Sequence, residues 1–145
     1  MQSSTLHENY LILDYQEPPG MERKTQQRDA IRKVFRDCPR PLSTQEVLGA
    51  AQKHVKKLGI ATVYRNLKDM VGDGELVPVE LPGESPRYEA AGKAHHHHFH
   101  CKKCEKVFEI EGCPGDLSKL IPRGFKLESH EIVLYGSCPT CASRK

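Results

Sequence analysis

Two C-x2-C pairs, Cys101-Lys102-Lys103-Cys104 and Cys138-Pro139-Thr140-Cys141, constrain this chain more than any other feature. Two residues between cysteines let one tight turn aim both sulfurs at a single ion. Two such turns complete a tetrahedral all-sulfur shell, which suits zinc. Every ligand is then a protein group, so no position is left for a reacting water and the expected Zn2+ is structural. Two disulfides are the competing reading. No apolar run is long enough to span a bilayer and the N-terminus has no secretory pattern, so a cytoplasmic address is expected, where paired thiols serve metals.

The chain has 145 residues, 37% of them hydrophobic, and no Trp. That favours two small reinforced units over one large core. Charge is unevenly spread. Residues 22–68 carry twelve Lys/Arg against four Asp/Glu, whereas residues 69–145 carry ten against twelve. A basic segment joined to a near-neutral one outlines a nucleic-acid-binding unit followed by a second unit.

Glu17-Pro18-Pro19-Gly20 is expected to end an N-terminal arm, residues 1–20. Thr25 is a candidate N-cap for a first helix that buries Ala30, Ile31, Val34 and Phe35. Ser43-Thr44-Gln45-Glu46 is a capping box opening a second helix, with Val47, Leu48 and Ala51 inward and Gly59 as its stop. Thr62 is expected to start a third helix, lined inwardly by Ile60, Val63, Leu67 and Met70. Runs 75–81 and 87–90, separated by Pro82-Gly83-Glu84, predict a hairpin. This order is that of a winged helix-turn-helix, residues 21–91. Gly92-Lys93-Ala94 reads as a hinge. In residues 95–145, runs 106–110 and 131–135 predict strands. Pro114 with Leu117, Leu120 and Ile121 predicts a helix between them. The fold class is α+β.

His95-His96-His97-His98-Phe99-His100 runs directly into Cys101. On an extended segment alternate residues share a face, so His96, His98 and His100 point one way and His95 and His97 the other. That arrangement can feed two separate ions. Glu89, Glu109, Asp116 and His130 are candidate partners, Cys113 beside Pro114 stays open between an inert thiol and a ligand, and Cys38 at a helix end reads as a packing residue. Sites of imidazole and carboxylate hold metal less permanently than four thiolates. They are suited to regulation.

Taken together, these motifs resemble the ferric uptake regulator family of bacterial transcription factors. The resemblance runs from about Arg23 to Cys141. It rests on Thr25-Gln26-Gln27-Arg28, Leu42-Ser43-Thr44-Gln45-Glu46-Val47 and Ala61-Thr62-Val63-Tyr64-Arg65-Asn66-Leu67. The histidine–cysteine run, His130 and Tyr135-Gly136-Ser137-Cys138-Pro139-Thr140-Cys141 complete it. The resemblance implies a homodimer that binds a pseudo-palindromic double-stranded DNA operator when metal-loaded and mostly represses. The winged helix would be joined to a small α/β dimerisation domain holding the four-cysteine zinc. One regulatory metal site would comprise Glu89, His96, His98 and Glu109. A second would comprise His95, His97, Asp116 and His130. Thr62, Tyr64, Arg65 and Lys68 would face DNA, while Arg28, Lys24, Lys56 and Lys57 are candidate phosphate contacts or simply solvated.

Two departures bear on the sensed metal. Pro41 stands where iron and peroxide sensors often place a histidine, and His97 stands where iron sensors commonly carry Asp. More imidazole and less carboxylate leans the regulatory ion from Fe2+ towards Zn2+. Glu89 and Glu109 pull the other way, keeping an iron sensor open as the alternative. A peroxide regulator is disfavoured by Glu109, where those members require Asp. An enzyme is not expected: the chain lacks H-E-x-x-H and the H-x-E that zinc deaminases use. No membrane or small organic substrate is implied. A metal buffer without DNA binding would explain the histidines but not Tyr64 and Arg65 on a basic helix.

Overall fold

A proline that the sequence suggests is a breaker instead starts the first helix. The computed structural model describes residues 19–143, and α1 spans Pro19–Asp37. The fixed φ of proline and its missing N–H suit a first helical position. Apart from Pro19 and Gly20, the expected arm lies outside the described residues. Thr25 is therefore not an N-cap. It sits within α1, its hydroxyl donating to the Met21 carbonyl at 3.0 Å.

The helix α2, Thr44–Ala51, is opened by the expected capping box. The Ser43 hydroxyl accepts from the Glu46 N–H at 3.2 Å, and the Glu46 carboxylate accepts from the Ser43 N–H at 2.9 Å. Gly59 does not stop α2, which ends at Ala51. It is the N-cap of α3, Ile60–Gly72, which begins before Thr62. Ile31, Val34 and Phe35 of α1, Val47 and Ala51 of α2, and Val63, Leu67 and Met70 of α3 are buried in one cluster. The i, i+4, i+7 spacing on α3 puts its apolar residues on one side and leaves Tyr64, Arg65 and Lys68 exposed.

The wing is an antiparallel hairpin of β1, Leu76–Val79, and β2, Arg87–Ala90. Leu42, just before α2, pairs with Tyr88 through two 2.8 Å backbone hydrogen bonds, so the wing is tied to the helices on both sides. A second tie crosses the helices. Arg28 contacts Asp73 at 2.6 Å and Glu75 at 2.5 Å, and Arg32 grips both oxygens of Glu75 at 2.7 and 2.8 Å. Arg28 is thus committed to a structural ion pair rather than offered to phosphate.

The remaining strands form a sheet in the order β4-β3-β5: β3 is His97–Cys101, β4 Val107–Ile110 and β5 Val133–Gly136. β3 pairs antiparallel with β4 and parallel with β5. A Cβ on Gly136 would lie 2.9 Å from the tip of the Phe99 ring, so glycine lets that ring lie across the neighbouring strand. A short helix α4, Pro139–Ala142, follows with Cys138 as its N-cap. The helix expected after Pro114 does not form. Only a 3-10 turn exists, Ser118–Leu120. Leu120 is 78% exposed, so no apolar face is buried there, and so short a segment cannot hold a helix unaided.

Val79 and Leu81 of the wing pack against Val107 and Val133 of the sheet. The two units therefore share a small apolar joint, and the architecture is an α+β winged helix-turn-helix followed by a three-stranded unit. Among the described residues no helix is long and apolar enough to cross a membrane.

The Arg32 and Arg28 guanidiniums hold the Glu75 carboxyl at about 2, well below the ordinary 4.5. A depressed carboxyl stabilises the fold above its unfolded pKa, and that contribution fades as pH falls towards the folded value. We expect Glu75→Gln to lower stability at neutral pH. It should also flatten the loss of stability between pH 4.5 and 2, as read by urea midpoints across that range.

Candidate metal centres and nucleic-acid face

The sulfurs of Cys101, Cys104, Cys138 and Cys141 all lie within 4.8 Å of one another. None is in a disulfide, and Cys104 and Cys138 stand 3.8 Å apart, well beyond the ~2.05 Å of an S–S bond. The parallel register between β3 and β5 sets Cys101 beside Gly136 and so brings the second pair to the first. The Cys138 N–H donates to the Cys101 sulfur at 3.2 Å. That bond, with further N–H donation from Cys104 and Lys103, draws the Cys101 thiol down to about 6. Cys141 is pushed up to about 12 by its neighbours Cys138, Cys104 and Cys101 and by burial. One sulfur is therefore prepared to be a thiolate, and the next resists adding charge beside it. Four thiolates can coexist only around a cation, and this donor set fits zinc.

The pleat of β3 sorts the neighbouring histidines as alternation demands. On one face, His96 and His98 meet Glu89 of β2. His96 Nε2 lies 3.0 and 3.3 Å from the two Glu89 oxygens, and His98 Nε2 lies 3.6 Å from one of them. Glu89 is only 3% exposed. Burial pushes its carboxyl up, but the His98 imidazole and the Lys93 ammonium outweigh this and leave it below the ordinary range. His98 Nε2 is buried without a hydrogen-bond partner, a donor atom that a coordinated ion would satisfy.

Glu109, expected in the same set, is placed opposite His98 by the β3–β4 register. Its carboxylate does not join the group, because Lys93 holds it. Lys93 also contacts Glu89 at 3.2 Å and the Pro39 carbonyl at 2.6 Å. In the sequence Lys93 reads only as part of the hinge. Nothing in its spacing reveals that its ammonium reaches two acids on different strands. His100 shares this face by alternation yet stands apart, with Nδ1 3.4 Å from Glu84 and its ring 5.7 Å from that of Tyr135.

On the opposite face His95 and His97 converge with His130, as expected, but Asp116 does not. The Asp116 carboxylate instead accepts from the Ser118 N–H at 2.8 Å and hydroxyl at 2.9 Å, because the segment after Pro114 turns rather than forming a helix. Cys113 takes the fourth place, its sulfur 3.0 Å from His130 Nε2.

The candidate nucleic-acid face is the exposed side of α3. Tyr64 is 52% exposed, Arg65 and Lys68 are exposed, and Thr62 is half-buried. The Thr62 hydroxyl accepts weakly from Arg65 at 3.4 Å. Tyr64, Arg65 and Lys68 line a cleft completed by Pro78, Pro86 and Tyr88 of the wing. A second cleft beside α3 gathers Arg23, Lys24 and Arg65 with Asp69. The helix is thus presented between two clefts.

Comparison with known proteins agrees with this architecture. Residues 20–135 match the ferric uptake regulator family. A ferric uptake regulation protein from Bordetella parapertussis is 35% identical over 114 residues, 74% of this chain and 81% of that protein. One from Campylobacter jejuni is 37% identical over 92 residues, 61% of this chain and only 58% of that protein. The ferric uptake regulator from Francisella tularensis, solved with iron, superposes with a TM-score of 0.64 at 28% identity, covering 81% of this chain and 92% of that one. A zinc-bound manganese uptake regulator gives 0.66 at 25% identity, covering 81% and 94%. The chain belongs to the ferric uptake regulator family of metal-responsive transcriptional regulators.

Proposed function

We propose that this chain is a homodimeric repressor whose operator affinity rises when a divalent ion joins the wing to the sheet. The observation that carries the reading is the convergence of Glu89, from the last wing strand, with His96, just before the first strand of the next unit, and His98, within that strand. A bound ion there supplies a cross-link. The surrounding residues do the rest. Val79, Leu81 and Val107 seat the wing on the sheet, and Glu109 lies one strand away, ready to exchange Lys93 for the ion. Residues 92–94 serve as the hinge between a DNA-binding unit, 21–91, and a metal-binding unit, 95–145. Fixing their relative orientation shifts the population towards the arrangement that an operator accepts.

Tyr64, Arg65, Thr62 and Lys68 then enter a major groove. Arg65 suits a guanine edge or a phosphate, and Tyr64 suits thymine methyls or backbone. A second copy is favoured by exposed apolar groups of the metal-binding unit: Leu134 at 50% and Tyr135 at 45% on β5, with Leu120 at 78% and Phe125 at 71% in the segment before it. Covering them removes apolar surface from water, the usual core of a subunit contact. The four cysteines hold structural Zn2+. The imidazole-rich regulatory sites lean towards Zn2+ over Fe2+ as the sensed ion. Relatives solved with iron and with zinc show that the family alone does not choose. Iron sensing is therefore the second reading, favoured by the carboxylates Glu89 and Glu109.

His98→Ala is expected to abolish metal-dependent operator binding while the dimer stays folded, and Cys104→Ala to lose the fold of the sheet or the dimer. Gel shifts on the chain's own promoter with and without Zn2+ or Fe2+, beside sedimentation, check both. Unchanged metal-dependent binding by the His98 variant would sink the proposal. Because Lys93 neutralises both acids, Lys93→Met should tighten ion binding at Glu89, His96 and His98 by about tenfold. A competition titration against a chromogenic chelator reads this directly, and an unchanged constant would contradict it.

A further inference from the structure

The face of β3 opposite the junction carries a cluster whose donor set differs from the one that family resemblance implies. Three imidazoles and one thiol meet there. His95 Nε2 stands 3.3 Å from His130 Nε2, and the Cys113 sulfur stands 3.0 Å from the same nitrogen. The rings of His95 and His97 are 4.6 Å apart, and those of His97 and His130 are 5.1 Å apart. One donor atom from each residue lies within 4.8 Å of all the others. A tetrahedral ion with nitrogen ligands at about 2.0–2.1 Å and sulfur at about 2.3 Å needs ligand separations of roughly 3.3–3.6 Å. The His95–His130 pair at 3.3 Å already matches, and with every separation at most 4.8 Å no pair need close by more than about 1.5 Å.

Two further observations say that the thiol is placed rather than adventitious. Gly112 at φ 97° and Gly115 at φ 80° bend the Gly112-Cys113-Pro114-Gly115 segment back on itself, and the Gly115 N–H donates to the sulfur at 3.4 Å. His97 is 3% exposed and its Nε2 has no hydrogen-bond partner, so a buried donor atom awaits an acceptor of its lone pair. Asp116 is occupied by Ser118. Among the described residues no carboxylate joins the group.

We propose that Cys113, not Asp116, is the fourth ligand of a three-histidine, one-thiolate site with His95, His97 and His130 that takes a borderline-soft divalent cation. Thiolate in place of carboxylate favours Zn2+ or Co2+ over Mn2+ and Fe2+. Binding requires the thiol to release its proton as the ion arrives, so uptake is proton-coupled. Cys113 is exposed, so the same sulfur that confers metal preference is open to thiol reagents. The assignment deepens the metal-responsive reading above and rests on it for its purpose, but not for its test.

The full chain, with its four-cysteine site filled by Zn2+, is titrated with Co2+ while bound zinc is monitored. The wild type should develop the near-ultraviolet sulfur-to-cobalt charge-transfer band without displacing zinc. Cys113→Ser should lose that band and bind Zn2+ at least tenfold more weakly, a loss of about 1.4 kcal/mol or more, while Asp116→Ala keeps both. Persistence of the band in Cys113→Ser, its absence from the wild type, or its loss in Asp116→Ala overturns the assignment. Should Cys113→Ser not fold, iodoacetamide labelling of the wild type decides. Zn2+ must slow alkylation of Cys113 and leave Cys38 unaffected, and equal labelling with and without zinc overturns the assignment. No operator enters these measurements. An intact band in a protein that binds DNA regardless of metal would remove the regulator and leave the site. The converse pair of results would remove the site and leave the regulator.

Discussion

A single strand carries candidate ligands for all three clusters. β3 places His98 on one side, His97 on the other and Cys101 at its end, while His95 and His96 lead directly into it and continue the alternation. The pleat makes this separation obligatory, since neighbouring side chains must point oppositely. Sliding the strand by one residue would exchange the two histidine sets and move Cys101 away from its partners. Register is held on both sides, by β4 and by the parallel β5, and the Phe99 ring lies over Gly136 at the second pairing. Assembly of the four sulfurs and sorting of the histidines are thus consequences of one backbone alignment.

That alignment reaches the nucleic-acid face through short, stiff connections. Glu89 belongs to β2, whose neighbour Tyr88 is bonded to Leu42 at the start of the α2 capping box. At the other end of the wing, Glu75 is gripped by two arginines of α1 just after α3 finishes. The recognition helix is therefore braced before and after itself. The exposed residues between these braces can be aimed by whatever positions the wing. Val79 and Leu81 against Val107 give a joint that is apolar but small, which suits an orientation that a few polar contacts can bias.

Much of this was legible in the sequence. Helical spacing on α3, the Ser43–Glu46 capping box and the alternation through the histidines each express a local rule, and each reappears in the structure. The four cysteines were legible because their spacing is itself a coordination geometry. What escaped was decided by tertiary competition. Pro19 could end one element or begin another, and only packing of α1 decides. The segment after Pro114 has the punctuation of a helix but no core to lie on, so it turns, and Cys113 rather than Asp116 reaches the histidines. In the sequence Arg28 reads as a phosphate contact or a solvated side chain and Lys93 as part of the hinge, because Asp73, Glu75 and Glu109 are distant in sequence or on another strand.

Lys93 gives the junction a property that an open carboxylate pair would lack. Its ammonium sits between Glu89 and Glu109 and also reaches the carbonyl of Pro39 beyond α1. The two acids do not repel each other when no ion is near, so this corner of the molecule stays assembled instead of springing apart. On the reading proposed above, an arriving dication would enter by exchange, ejecting a monovalent side chain from its seat, and the threshold concentration would be set by the difference between two affinities. One of them is encoded entirely in the chain, and it can be retuned at a single residue that never touches the ion.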